Sequence, residues 1–334
     1  MLRYTFFSII VLIASCANDR NKPDVSDIKI DVTVERFEQD FFKLDTNQLQ
    51  SGLNALAQKY PLFFLTYMQH ILQLNGADPA SATVIKNIIG GYRSINDSIQ
   101  KKYQTLGWLG DELEESFKYV KHYYPSYKIP RIITFIGTLD APGAVLTQDY
   151  LGIGLHQFGG KAFSVYSDAA VQQMYPYYIS RRFDKEYITA GAMKAIADDI
   201  YSDISTGLPL IEQMIEKGKQ WYLLHKFLPD APDSIKTGYT QKQLNWVTEN
   251  EGNAWASVIR SENIYSIEPY VIQTYIGEAP FTQGMTESSP GNIGQWIGWR
   301  IVQKFVAQNE ELTLQEVLAT PARKIFEESK YKPK

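Results

Sequence analysis

The chain has 334 residues, of which 44% are hydrophobic and 21% charged; 33 Lys and Arg stand against 37 Asp and Glu, a net charge of −4. That composition excludes a mostly disordered chain, and so even a balance excludes a general attraction to nucleic acid. The single cysteine, Cys16, excludes an internal disulfide and a cysteine-based zinc site.

The chain opens with Arg3 and a nearly unbroken apolar run over residues 4–14. This has the form of a signal peptide and is too short to span a bilayer, which takes roughly 20 apolar residues. The junction Ile13-Ala14-Ser15-Cys16 resembles a bacterial lipobox, which implies a signal peptide over residues 1–15 and acylation of Cys16. Two or three acyl chains anchor a protein stably where one does not. Residues 16–27, polar with one proline, then read as the lipidated N-terminus and tether. Ala17 beside the cysteine resembles an outer-membrane sorting residue. No acidic cluster of the kind that resembles a surface-export signal follows it, so the body is expected on the periplasmic side.

No repeat and no low-complexity linker divides residues 28–334, which predicts one domain. Residues 28–34 alternate apolar and polar, the period of a half-buried strand. Helical patterns follow at about 47–58, 60–74, 80–103 and 109–123, with Pro61 suited to a first helical turn. Asp97-Ser98-Ile99 resembles an O-glycosylation sequon of Bacteroidetes envelope proteins, as does Asp233-Ser234-Ile235; both also fit ordinary cap or turn residues. Residues 129–137, 144–146 and 150–155 have the β-branched content and bounding turns of strands, making a small sheet of about four. A helix is expected near 186–200, with Arg182 and Glu186 spaced for an i, i+4 pair. Ile211, Met214, Ile215, Gly218 and Tyr222 fall on one face of a further helix. Ser289-Pro290 resembles an N-cap and first helical residue for a helix over 291–308. Gly291, Gly294 and Gly298 fit close helix packing better than a phosphate loop, although a helix start at Gly291 could also bind an anion. Arg300 falls on the side of Ile297 and Ile301, either charge-paired or snorkelling. The class is α+β, dominated by helix.

The chemistry-bearing residues are sparse. His70, His122, His156 and His225 are too far apart in sequence for a helical zinc pair, and the chain contains no His-Glu-x-x-His. No catalytic, cofactor-binding or metal-ligating set is therefore assigned. Glu249 and Glu251 could be acid/base carboxylates near Trp255, but residues two apart do not share a helix face. Trp246, Trp255, Trp296 and Trp299 could line a glycan groove, or be core.

Several blocks, in order, carry a resemblance over nearly the whole chain. They are the lipobox, Val34–Phe42, Tyr60-Pro61-Leu62-Phe63-Phe64, residues 216–222, Gly238-Tyr239-Thr240, Trp246, Glu249-Asn250-Glu251 and residues 294–300. Together they resemble the GldB family of gliding-motility lipoproteins of Bacteroidetes. That family is in turn similar to zinc peptidases of the gluzincin type, which implies a degenerate zincin-like fold. On that resemblance the early helix of the pattern is residues 186–200, without histidine. Lys217 stands before Gly218 where a carboxylate ligand would be wanted. The resemblance implies a non-catalytic envelope lipoprotein supporting gliding motility alongside the type IX secretion machinery. Its partners would be the membrane, through Cys16, and other envelope proteins. A hydrolase of cell-wall peptide or glycan, and a glycan-binding outer-membrane lipoprotein, remain alternatives.

Overall fold

The computed structural model describes residues 22–74, 80–261 and 264–333. Cys16 and the expected signal peptide over residues 1–15 lie outside the described residues. Of the predicted tether, residues 22–27 lie against the body: Val25 is buried, and the Lys22 ammonium pairs with Asp230 at 2.5 Å while standing over the Tyr119 ring.

The N-terminal half builds the sheet. Strand β1 (Val34–Arg36) leads directly into α1 (Phe37–Phe41), then α2 (Leu49–Lys59) and α3 (Pro61–Thr66), which runs into one π turn over Tyr67–Ile71. Next come α4 (Ala80–Gly91), α5 (Arg93–Lys102) and α6 (Gly107–Tyr123). The expected helix over 80–103 is thus two helices, broken at Tyr92 just after Gly90-Gly91, a pair that lowers helix propensity by about 1 kcal/mol per glycine. Strands β2 (Arg131–Phe135), β3 (Ala144–Leu146) and β4 (Tyr150–Gly154) complete a mixed sheet in the order β1-β2-β4-β3. β1, β2 and β4 are parallel, with Val34 opposite Ile132 and Ile132 opposite Leu151; β3 is an antiparallel edge.

The strand expected at 28–34 shifts to Val34–Arg36. The alternation upstream is real in the side chains: Ile30, Val32 and Val34 pack on the core. Only residues 34–36 find a ladder partner, because β2 is five residues long and its remaining edge is used by β4. Side-chain alternation reports burial, not ladder pairing.

The second half is helical, as expected. It comprises α7 (Ala169–Met174), α8 (Tyr177–Ser180), α9 (Ile188–Ile200) and the long α10 (Leu210–Phe227), then α11 (Asp233–Thr237), α12 (Gln241–Glu249), α13 (Glu251–Ser261) and α14 (Pro269–Ile276). The last three are α15 (Ile293–Val306), α16 (Leu314–Ala319) and α17 (Ala322–Ser329). The class is α+β and helix-dominated, with one small sheet.

Helix α10 is the axis of this half. Its first N–H groups, orphaned in any helix, are taken by Ser266 O on Leu210 (2.8 Å) and Ile264 O on Ile211 (2.9 Å). The predicted face of Ile211, Met214, Ile215, Gly218 and Tyr222 is buried. So is much of the rest of the helix, including Glu216 and Lys219. The expected close packing of glycines is found between α10 and α15. A Cβ on Gly218 would fall on the backbone of Gly298 and Trp299, and one on Gly298 would fall on the Met214 carbonyl. Helix α15 begins at Ile293, not at the expected Pro290. Ser289 is not its cap: its hydroxyl donates to Thr286 O (2.7 Å) and accepts from Thr282 N (3.2 Å), closing a buried loop. Asn292, in the left-handed conformation (φ 46°), stands at the helix start instead.

Candidate functional site

A cleft of about 700 Å³ runs between α9 and α10. Helix α9 gives it Ala190, Gly191, Lys194 and Asp198; α10 gives it Lys217, Gln220 and Trp221. The spacing follows from helix geometry, since residues three and four apart share a face. The far end is closed by Arg182, Lys236, Gly238, Glu278, Asn292 and Gln295. Gly238 ends α11 in the left-handed conformation (φ 72°), and the Arg182 side chain lies against it. Ala190 and Ile235 also border a second cleft of about 750 Å³ around Trp108, Tyr119 and Phe227, whose rim carries Asp230, the partner of Lys22.

Most charges in the α9–α10 cleft are already engaged. Lys217 pairs with Asp203 at 2.5 Å, Arg182 with Glu278 at 3.2 Å, and Lys236 with Asp233 at 2.9 Å. Lys236 also lies 2.9 Å from Nδ1 of His225. Arg182 and Glu186 are not the helical pair expected, because the chain through 181–184 is not helical and Arg182 turns toward α14's end. Asp198 accepts a hydrogen bond from Gln220 (3.4 Å), and burial in the cleft wall raises its pKa. Burial also pushes Asp203 up, but the Lys217 ammonium and Ser205 outweigh it and hold Asp203 below its ordinary value. Lys194 has no ion-pair partner within 4 Å among the described residues.

The histidines do not converge. His156 is fully buried in the core, where Nδ1 accepts from Gly137 N (3.1 Å) and Nε2 donates to Ala141 O (3.0 Å). Both nitrogens are used by a neutral ring, and burial lowers its pKa to about 4. An ordinary histidine in the unfolded chain titrates near 6.5. Between those values the unfolded state binds the extra proton, so this contribution to stability is complete above pH 6.5 and is lost as pH falls toward 4. Chemical denaturation at pH 7 and pH 5 should show a loss of about 2 kcal/mol from this group. The His156 Cε1 proton shift should stay flat from pH 8 to pH 5; titration near 6.5 would refute the assignment. Among the described residues no three His, Cys, Asp or Glu side chains are grouped to hold a metal.

Glu249 ends α12 and is exposed, while Glu251 opens α13. Glu251 accepts from Arg300 (3.2 Å) and from the Tyr331 hydroxyl (2.6 Å), so Arg300 is charge-paired while its guanidinium stacks over Trp296. The two glutamates do not face a shared space. Trp255, Trp296 and Trp299 are buried and Trp246 is half-buried, so these four line no exposed groove. Ser98 is exposed on α5, its hydroxyl bonded to Ser94 O (2.8 Å); Ser234 lies in α11. Asn292, Asp198 and Lys194 were not legible as site residues. Only the helix start near Gly291 hinted at the first, and nothing local marked the others.

The family model described as gliding motility protein GldB matches residues 18–333. The chain belongs to the GldB family. Its membership supports a role in gliding motility and association with the cell envelope. No helix among the described residues is long and apolar enough to cross a membrane. No curated protein and no solved structure matches the chain. Within the GldB match, the block Val34–Phe42 is structural. Phe37 packs against Phe63 and Tyr67 at centroid distances of 5.1 and 4.6 Å. Glu38, fully buried, accepts from Arg36 (2.5 Å) and Thr134 (2.7 Å).

Proposed function

We propose that the protein is a lipoprotein anchored by acyl chains, palmitate among them, on Cys16, with its body on the periplasmic side of the outer membrane. It supports gliding motility alongside the type IX secretion machinery as a non-catalytic binding body. The observation that carries the non-catalytic part is the α9–α10 cleft. Its two walls present Lys194 and Lys217, and Lys217 is locked to Asp203. Lys217 precedes Gly218, where the zinc-peptidase resemblance wants a carboxylate. An ammonium there opposes a divalent cation, and peptidase chemistry of that type needs a metal-bound water and a free carboxylate base.

Two measurements test this reading. Cys16→Ala should abolish labelling by a palmitate analogue in the native host and release the protein from the membrane fraction; persistent labelling refutes the anchor. Elemental analysis of the purified protein should find no stoichiometric zinc. Zinc that disappears on substituting a histidine would overturn the non-catalytic body.

A further inference from the structure

Asn292 serves the fold poorly. The residue is 5% exposed, yet its side-chain amide makes no hydrogen bond among the described residues; its backbone carbonyl accepts from Gln295 N (2.9 Å) and from the Tyr239 hydroxyl (3.4 Å). Its φ of 46° is a conformation that glycine adopts more readily. Glycine would suit that backbone conformation better. Tyr150 Oη and Trp299 Nε1 are sealed from solvent without partners, but the Asn292 amide is not sealed, and the space it lines is the α9–α10 cleft.

Three further features share that space. Asn292 starts α15, a helix of 14 residues, whose first turn carries the positive end of the helix dipole, with Gln295 N taken by the Asn292 carbonyl and the N–H groups of Ile293 and Gly294 without intrahelical acceptors. Lys194 on α9 faces the cleft without an ion-pair partner within 4 Å, its charge felt by Asp198 one turn along the same helix, whereas Arg182 and Lys236 are committed to Glu278 and Asp233. Trp221 and Tyr187 give the cleft aromatic walls. The cleft therefore offers an unpartnered amide, a helix N-terminus and an ammonium without a close ion pair, beside an apolar surface, in a volume typical of small-ligand sites and far larger than one ion needs.

We propose that this cleft binds a carboxylate at the end of a short peptide. The Asn292 amide and the start of α15 donate to the carboxylate, Lys194 supplies the counter-charge, and Trp221 and Tyr187 cover the adjoining apolar groups. The proposal rests on the reading of the body as a binding body.

The test is calorimetric titration of the purified full chain with acetyl-dialanine, acetyl-dialanine amide, acetate and inorganic phosphate. Acetyl-dialanine should bind saturably, with the amide and acetate at least tenfold weaker. Asn292→Gly should weaken acetyl-dialanine binding at least tenfold with an unchanged or higher melting temperature, and Lys194→Gln should weaken it with the fold intact. The site is overturned by no binding of acetyl-dialanine, by equal binding of its amide, by full binding to Asn292→Gly, or by a lower melting temperature in that variant. Phosphate or acetate binding as tightly as acetyl-dialanine overturns the assignment to a peptide. Release of free alanine from bound acetyl-dialanine would leave the site standing and refute the non-catalytic body instead.

Discussion

Lys219→Met is expected to cost about 3–5 kcal/mol of stability, the penalty for breaking a buried ion pair by removing one partner. Lys219 is 1% exposed, and its ammonium donates to Glu216 (2.8 Å), the Tyr201 hydroxyl (3.2 Å) and Leu318 O (3.1 Å). Burial lowers its pKa, and Glu216 only partly restores it. Glu216 also accepts from Tyr201. One ammonium thus ties α10 to the residue that ends α9 and to α16. Methionine keeps the length of the side chain and leaves the Glu216 carboxylate buried without its cation. Urea unfolding should show a lower midpoint with an unchanged slope. The double variant Lys219→Met/Glu216→Leu should regain most of the loss, because an apolar pair can replace a buried ion pair at little cost. A single-variant loss under about 1 kcal/mol would show that the pair does not hold these helices together.

Gly298→Ala is expected to destabilise at or beyond the upper end of the ~1–3 kcal/mol usual for overpacking. An added Cβ would sit well inside 3 Å of the Met214 carbonyl, and the obstacle is backbone, which cannot rotate away as a side chain could. Gly218→Ala meets the Gly298 and Trp299 backbone in the same way from the opposite helix. Relief requires α10 and α15 to separate, which unpacks Ile211, Ile215, Ile297 and Ile301, all fully buried. Gly91→Ala is the control. Nothing lies within 4 Å of its Cβ position, so it should be neutral or slightly stabilising through helix propensity. Equal melting temperatures for Gly298→Ala and the parent would contradict the close approach of the two helices.

What was legible in the sequence followed from local periodicity. The β-branched runs placed β2, β3 and β4 within a residue or two, and the apolar spacing of α10 named a face that is indeed buried. The spacing of Gly294 and Gly298 pointed to helix packing, and both meet backbone. Expectations failed where a local signal had two structural outcomes. Alternation over 28–34 meant burial against the core, with pairing only from residue 34 onward. Ser289-Pro290 has the form of a cap, but Ser289 is spent on its own loop. Arg182 and Glu186 have helical spacing, but no helix spans them.

By itself the sequence determined the α+β class, the strands and the longer helices in their order, and a single cysteine in a segment that resembles a lipobox. These depend on residue type and on spacing within one element, which a chain carries before it folds. Only the tertiary structure decided that Glu216 and Lys219 are buried together, that Glu249 and Glu251 part company, and that Asn292 and Lys194 share a cleft. The physical reason is that periodicity identifies one buried face of a helix. Whether the opposite face is also covered depends on elements distant in sequence: Leu318 caps the ammonium of Lys219 from 99 residues away. The candidate binding cleft consists of such meetings, between helices whose sequences give no sign of one another.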